Sequence, residues 1–225
     1  MSAQLDHLIV TASSLAQGVA WCEALLGVTP GPGGKHAFIG THNRLLKITS
    51  AGFAQAYLEI IAIDPEAPPP ARKRWFALDD RLPGDTPALV HWVARTPTLE
   101  MTRAALRDLG HDPGELRAAS RDTPQGPLRW QITLREDGSM ACGGALPTLI
   151  EWSGAHPTDN MPESGLSLLQ FEVSGVPAAA GTALALQGVA LHSRPGAVLR
   201  AKLQTPKGVV LLESAGKCRK VNHDR

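Results

Sequence analysis

Leu5-Asp6-His7-Leu8-Ile9-Val10 decides how this 225-residue chain is read. It is a short apolar run with a histidine near its centre, and it recurs. Ala88-Leu89-Val90-His91-Trp92-Val93 has the same form, and Leu168-Leu169-Gln170-Phe171-Glu172-Val173 carries glutamine in the histidine's place. Each run reads as a strand. A glycine follows the central polar residue by 20, 19 and 18 positions, at Gly27, Gly110 and Gly188. Glycine just past a helix supplies a left-handed cap, so a helix is predicted between strand and glycine in every copy. Ser14 with Gln17 suits a capping box ahead of the stripe Leu15, Val19, Cys22 and Leu26. Thr96-Pro97 suits the start of a helix carrying Leu99, Leu106 and Leu109. The third helix, near Pro177 to Gln187, is alanine-rich.

A Pro-Gly pair then follows each time, at Pro30-Gly31, Pro113-Gly114 and Pro195-Gly196. Strand-like runs come next: 36–40, 44–48 and 56–63, then 116–120, 128–134 and 148–152, then 198–204 and 209–214. The last run of each copy holds one glutamate among apolar residues: Glu59, Glu151 and Glu213. The pattern predicts an α+β fold of repeated β-α-β-β-β modules. The expected division is module one at 1–64, a Pro-rich charged linker at 65–87, module two at 88–153, a degenerate third module at 166–215, and a tail at 216–225.

Composition bounds the function. With 22 basic and 21 acidic residues the formal net charge is +1, which argues against a nucleic-acid or acidic-membrane partner. The one basic cluster, Lys217 to Lys220, reads as a solvated tail. No stretch is apolar enough for a membrane span, the first residues lack a signal-peptide pattern, and three cysteines form no C-x-x-C pair. A cytoplasmic protein is expected. No phosphate-cradling loop is present.

Two copies place histidine in the first strand and glutamate in the last: His7 with Glu59, and His91 with Glu151. A lone strand histidine is more often a satisfied core residue, and a lone glutamate often bonds a neighbouring backbone or arginine. A charged carboxylate in an apolar strand is nonetheless costly unless paired or bound to a metal. The repeated pairing suits one divalent cation, for which imidazole and carboxylate admit Zn, Ni, Mn, Co or Fe. The third copy, with Gln170, is expected to bind none, and Glu213 to be structural.

This order of motifs resembles the vicinal oxygen chelate superfamily, which includes glyoxalase I, fosfomycin- and bleomycin-resistance proteins and extradiol dioxygenases. Asp6-His7, Leu25-Leu26-Gly27 and Tyr57-Leu58-Glu59-Ile60 carry the likeness. The runs Gly34-Lys35-His36 and Gly40 to Leu46 look closer still to its glyoxalase-like domain subgroup. The resemblance implies two modules pairing into a cupped mixed sheet with one metal in the cleft, held by His7, Glu59, His91 and Glu151. It implies a metal-dependent lyase or isomerase acting on a small metabolite with adjacent oxygens, with Glu151 or Glu59 as the base. Two other readings stay open: a metal-free small-molecule binding or resistance protein, and an iron dioxygenase using His7, His91 and Glu151.

His36, His42, Asn43 and Arg44 are candidates for gripping an anionic substrate, although Thr41-His42-Asn43 also suits a plain turn. Arg72, Arg74 and Trp75 read either as a cleft rim or, preferably, as solvated linker. Cys22 reads as core, and Cys142 as a loop residue without a base. His111, His156, His192 and His223 read as surface residues. The third copy pairs either within the chain or with a second chain, which would make a homodimer.

Overall fold

In the computed structural model, which describes residues 2–192 and 198–214, the first two copies build one eight-stranded sheet. The first contributes β1 (Gln4–Thr11), α1 (Leu15–Leu25), β2 (Gly31–His36), β3 (Thr41–Lys47) and β4 (Tyr57–Ile63). The second contributes β5 (Ala88–Arg95), α2 (Leu99–Asp108), β6 (Glu115–Arg121), β7 (Leu128–Leu134) and β8 (Thr148–Trp152). The strand order is β2-β3-β4-β1-β5-β8-β7-β6. Each copy pairs its first and last strands in parallel, and the copies join where β1 runs antiparallel to β5. The sheet curls into a half-barrel, the cupped α+β architecture that the repeats predict.

The convex face is apolar because α1 and α2 lie on it. Leu8, Val10, Leu58, Ile60, Trp92, Ala94 and Leu149 form one core with Cys22, Leu26, Leu99 and Leu106 from the helices. Ser14 caps α1 by accepting from the Gln17 N–H, while the Gln17 carboxamide reaches back to Ser13 rather than Ser14. The second helix starts later than the Thr96-Pro97 signal implies. Its N-cap is Thr98, because Thr96 turns inward and its hydroxyl accepts from the Thr98 N–H.

The third copy keeps the element order, with β9 (Ser167–Ser174), α3 (Ala178–Leu184), β10 (Val189–His192), β11 (Leu199–Thr205) and β12 (Gly208–Glu213). Its strand order differs. The four strands run β10-β9-β11-β12, so first and last strands do not pair. This sheet packs on the convex face of the large one within the same chain, with Phe171 edge-on to Trp92 at 5.4 Å between ring centroids. Glu213 pairs with Arg200 at 2.8 Å, a structural role. Pro195-Gly196, Cys218, His223, the basic 217–220 cluster and the expected tail 216–225 lie outside the described residues.

The linker departs from its reading as solvated chain. Trp75, Phe76 and Leu78 fold back into the concave cup, where they pack on Ile9, Ile61, Val93, Trp130, Ile132 and Ile150. Burial of these side chains outweighs the charged, Pro-rich character of the segment around them. Phe76 (φ 56°) and Ala77 (φ 52°) sit in the left-handed region, where a side chain is strained. Among the described residues no helix is long and apolar enough to cross a membrane.

Candidate active site in the cup

A bulge in β1 creates the site. Strand residues alternate faces, which would put Asp6 and His7 on opposite sides of the sheet. The β1–β5 pairing slips between Leu5 and His7, and Asp6 becomes bonded to the same cluster as His7. Tyr57, Glu59 and Ile61 of β4 face the cup, while Leu58 and Ile60 face the helices.

The result is a buried chain of polar groups. His156 Nε2 lies 3.1 Å and Trp152 Nε1 2.9 Å from Asp6 Oδ2. Asp6 Oδ1 lies 2.6 Å from His7 Nδ1, and His7 Nε2 lies 3.3 Å from Glu59 Oε2. Glu59 Oε1 accepts from Asn43 Nδ2 at 2.5 Å, and Asn43 Oδ1 accepts from the Gly34 N–H at 2.7 Å. Gly33 makes this approach available, since a Cβ there would collide with Asn43. The His7 ring stacks on Tyr57 at 4.4 Å between centroids. His156 Nδ1 accepts from the Thr158 N–H, so Nε2 carries the proton donated to Asp6.

Electrostatics follow from this wiring. Burial alone pulls the His7 imidazole down, but its hydrogen bonds to Asp6 and Glu59 outweigh it and raise His7 to about 9. Burial pushes Asp6 and Glu59 up, yet the histidines beside them hold both carboxyls below the usual range. At neutral pH the chain is carboxylate, imidazolium, carboxylate. His36 differs. Burial lowers it to about 4, leaving a neutral ring that contacts Thr41 Oγ1 at 3.0 Å.

The expected four-ligand set does not converge. His7 and Glu59 meet. His91 faces the cup but turns away from them, and its Nε2 accepts from the Thr148 N–H at 3.2 Å. Burial and the nearby His7 lower His91 to about 3. Glu151 is on the convex face, where its Oε2 accepts from the Leu99 N–H at 3.0 Å at the start of α2. The cup-facing residues of β8 are Ile150 and Trp152. Among the described residues no group of three or more His, Cys, Asp or Glu side chains is arranged to hold a metal ion. The donors therefore do not fit the four-ligand cation site, nor the His7, His91 and Glu151 iron set.

Of the expected substrate grips, His36 and Asn43 line the cup. His42 and Arg44 pair with Ala62 and Ile60 and share their convex face, where His42 lies 3.9 Å from Asp64. Sequence reasoning missed Asp6, Trp152, His156 and Arg121. His156 is buried in the Asp6 cluster rather than exposed. Cys142 does have a histidine nearby, with Sγ 3.8 Å from His111 Nδ1, but burial raises its thiol, the wrong direction for a nucleophile.

Two neighbouring spaces lie beside the chain. The inner one is a small pocket of about 40 Å³ walled by Trp75, Phe76, Trp130 and Trp152. The outer cleft is about 580 Å³ and runs between β2, the loop after β6 and the 156–164 connector. Leu45, Arg121 and Pro157 border both.

A family model described as "Glyoxalase-like domain" matches residues 5–189. Among solved structures, a hypothetical protein from Staphylococcus aureus is similar over 96% of this chain and 87% of its own, with TM-score 0.57 and 13% identity, a likeness of fold. A methylmalonyl-CoA epimerase from Streptomyces coelicolor, solved with 2-nitronate-propionyl-CoA, gives TM-score 0.45 at 16% identity over 69% of this chain and 99% of that one. The Mycobacterium tuberculosis methylmalonyl-CoA epimerase gives 0.40 at 17% over 70% and 91%. The search of curated proteins finds no match.

Proposed function

The chain belongs to the glyoxalase-like domain family of the vicinal oxygen chelate superfamily, and on that premise we propose that it is an isomerase-type enzyme that moves a proton between adjacent atoms of a small oxygenated metabolite. The observation that carries this reading is the Asp6–His7–Glu59 chain at the floor of the aromatic pocket. Glu59 is the base. It takes a proton from the carbon beside a carbonyl and returns it to the neighbouring position, so one carboxylate serves both steps. Once Glu59 takes the proton it loses its charge and its hold on the His7 Nε2–H, and that N–H turns to the oxyanion that develops on the substrate. Asp6 keeps the imidazolium charged and oriented, and the tryptophan walls exclude water. Glu151, whose carboxylate caps α2, has no part in the chemistry.

No step is routed through a metal. One observation favours a second reading with a divalent cation on two protein ligands. His7 Nε2 and Glu59 Oε2 are 3.3 Å apart, a spacing two ligands of one ion adopt with bonds of about 2 Å, and Asp6 backs the histidine as outer partners of ligating imidazoles do. Titration with Mn²⁺ or Ni²⁺ tests it. Saturable uptake lost in Glu59→Ala supports the cation, and no uptake by the wild type removes it.

The test of the main reading is deuterium exchange. Small 2-oxo and 2-hydroxy acids are incubated with the protein in D₂O and their carbon-bound protons followed by NMR. Catalysed exchange lost in Glu59→Gln supports the enzyme. Binding without exchange in any compound would move the reading to the metal-free binding protein, which shares the same pocket.

A further inference from the structure

Two residues that line the inner pocket each carry a buried donor that the protein itself does not use. Trp75 is 7% exposed, and its buried indole N–H has no hydrogen-bond partner. Arg121, the last residue of β6, has a buried, unpartnered Nε, and among the described residues no carboxylate pairs with it. Both residues line the inner pocket. Buried donors are nearly always satisfied, and an orphan is costly. The positive charge of Arg121 acts on buried His36 and Tyr57, so its field reaches the pocket's interior. Trp75 is held there by neighbours in strained left-handed backbone, Phe76 and Ala77, with its ring edge-on to His36 at 5.0 Å. Strained backbone of this kind clusters at ligand sites.

We propose that this pocket binds the carboxylate head of a small organic acid, held by the Arg121 guanidinium and the Trp75 indole N–H. A planar guanidinium fork grips a carboxylate bidentately, and an indole N–H adds one further donor. The inner pocket, about 40 Å³, takes the head group and the first atoms of the body, and the remainder of the molecule extends past Arg121 toward the outer cleft. The flat walls of Trp75, Phe76, Trp130 and Trp152 suit an apolar or aromatic body next to the head. The assignment deepens the proton-transfer reading, because it delivers the carbon beside the carboxylate to the pocket that Glu59 lines.

Benzoate and its neutral isostere benzamide are the probes, titrated at pH 7.5 by intrinsic tryptophan fluorescence and by calorimetry. Benzoate is expected to bind at least tenfold more tightly than benzamide. Arg121→Gln brings benzoate down to the benzamide level. Trp75→Phe keeps the ring and removes the N–H, and is expected to weaken benzoate roughly 10-fold while leaving benzamide unchanged, as for a hydrogen bond to a charged group. Thermal melts of both variants confirm folding, and the Trp75→Phe comparison stands if Arg121→Gln does not fold. Equal affinity for the two probes, no measurable benzoate binding, or benzoate unaffected by both substitutions overturns the proposal. Inorganic phosphate competing as strongly as benzoate overturns the carboxylate assignment. The two readings fail separately. Absence of deuterium exchange with benzoate discrimination intact defeats the proton-transfer function and leaves the carboxylate site standing.

Discussion

His7 carries the largest electrostatic consequence of any single side chain in the cup. Its folded pKa, about 9, lies above the ordinary histidine value of 6.5. A raised pKa contributes stability that is fully present below the unfolded value and is lost as pH rises through the folded one. Wild-type stability attributable to this charge should therefore decline between about pH 6.5 and pH 9. In His7→Gln that decline is expected to flatten, as read from urea midpoints across the range; an unchanged slope would show that His7 is not charged in the folded state. His36 and His91 act at the other end. Lowered to about 4 and about 3, they lose stability as pH falls below 6.5, as do the depressed carboxyls of Asp6 and Glu59 further down. His156 gives a second residue-scale test. Truncation to alanine removes one of three donors to fully buried Asp6, and should cost about 1–3 kcal/mol in chemical denaturation. A cost near zero would mean the Asp6 cluster does not hold its charge by these bonds.

Strand faces separate what was readable in the sequence from what was not. His7 and Glu59 are legible as a pair because each is a polar residue within an apolar run, and the parallel pairing of their strands brings them to one face. Glu151 was assigned to the wrong face for a physical reason. Leu149-Ile150-Glu151-Trp152 is apolar on both sides, since helices cover one face and the linker plug fills the other, so no alternation shows where the glutamate points. Asp6 depends on a bulge and β2 on an edge strand of Gly and Pro, features that leave no hydrophobic period. The linker's charges describe its outer side, whereas Trp75 and Phe76 describe its inner one. Two expectations follow for these elements. Glu151→Gln keeps an acceptor but removes the charge at the start of α2, and should cost about 0.3–1 kcal/mol in thermal stability, with probe binding in the cup unchanged. Loss of binding instead would return Glu151 to the site. Ala77→Gly relieves a left-handed alanine while keeping the N–H that donates to Gly138 at 3.2 Å, and should raise stability by up to about 1 kcal/mol. A destabilised variant would mean that residue 77 is not left-handed in solution.

At the scale of the molecule, the cup is shaped by what lies behind it. The concave face holds the polar chain and the aromatic pocket, while the convex face is sealed by three helices and the second sheet in one apolar core. That second sheet does not extend the first. It exchanges the parallel first-to-last strand pairing of the other copies for the order β10-β9-β11-β12, and contributes Phe171, Val173, Leu199, Ala201 and Leu203 to the shared core, with Phe171 set against Trp92. Trp92 sits on β5, the strand that joins the two copies, so the convex core and the site share one wall. A core continuous across both sheets should unfold as one unit. Tryptophan fluorescence, which reports chiefly on the large sheet, and far-UV circular dichroism, which reports on both, are expected to give coincident urea transitions. Phe171→Ala leaves a cavity between the sheets, and large-to-small changes of this kind cost about 3–5 kcal/mol. The shift should appear equally in both signals, and benzoate binding should weaken only as the folded fraction falls. Separate transitions, or a Phe171→Ala effect confined to circular dichroism, would show that the second sheet is an independent unit and that the cup stands without it.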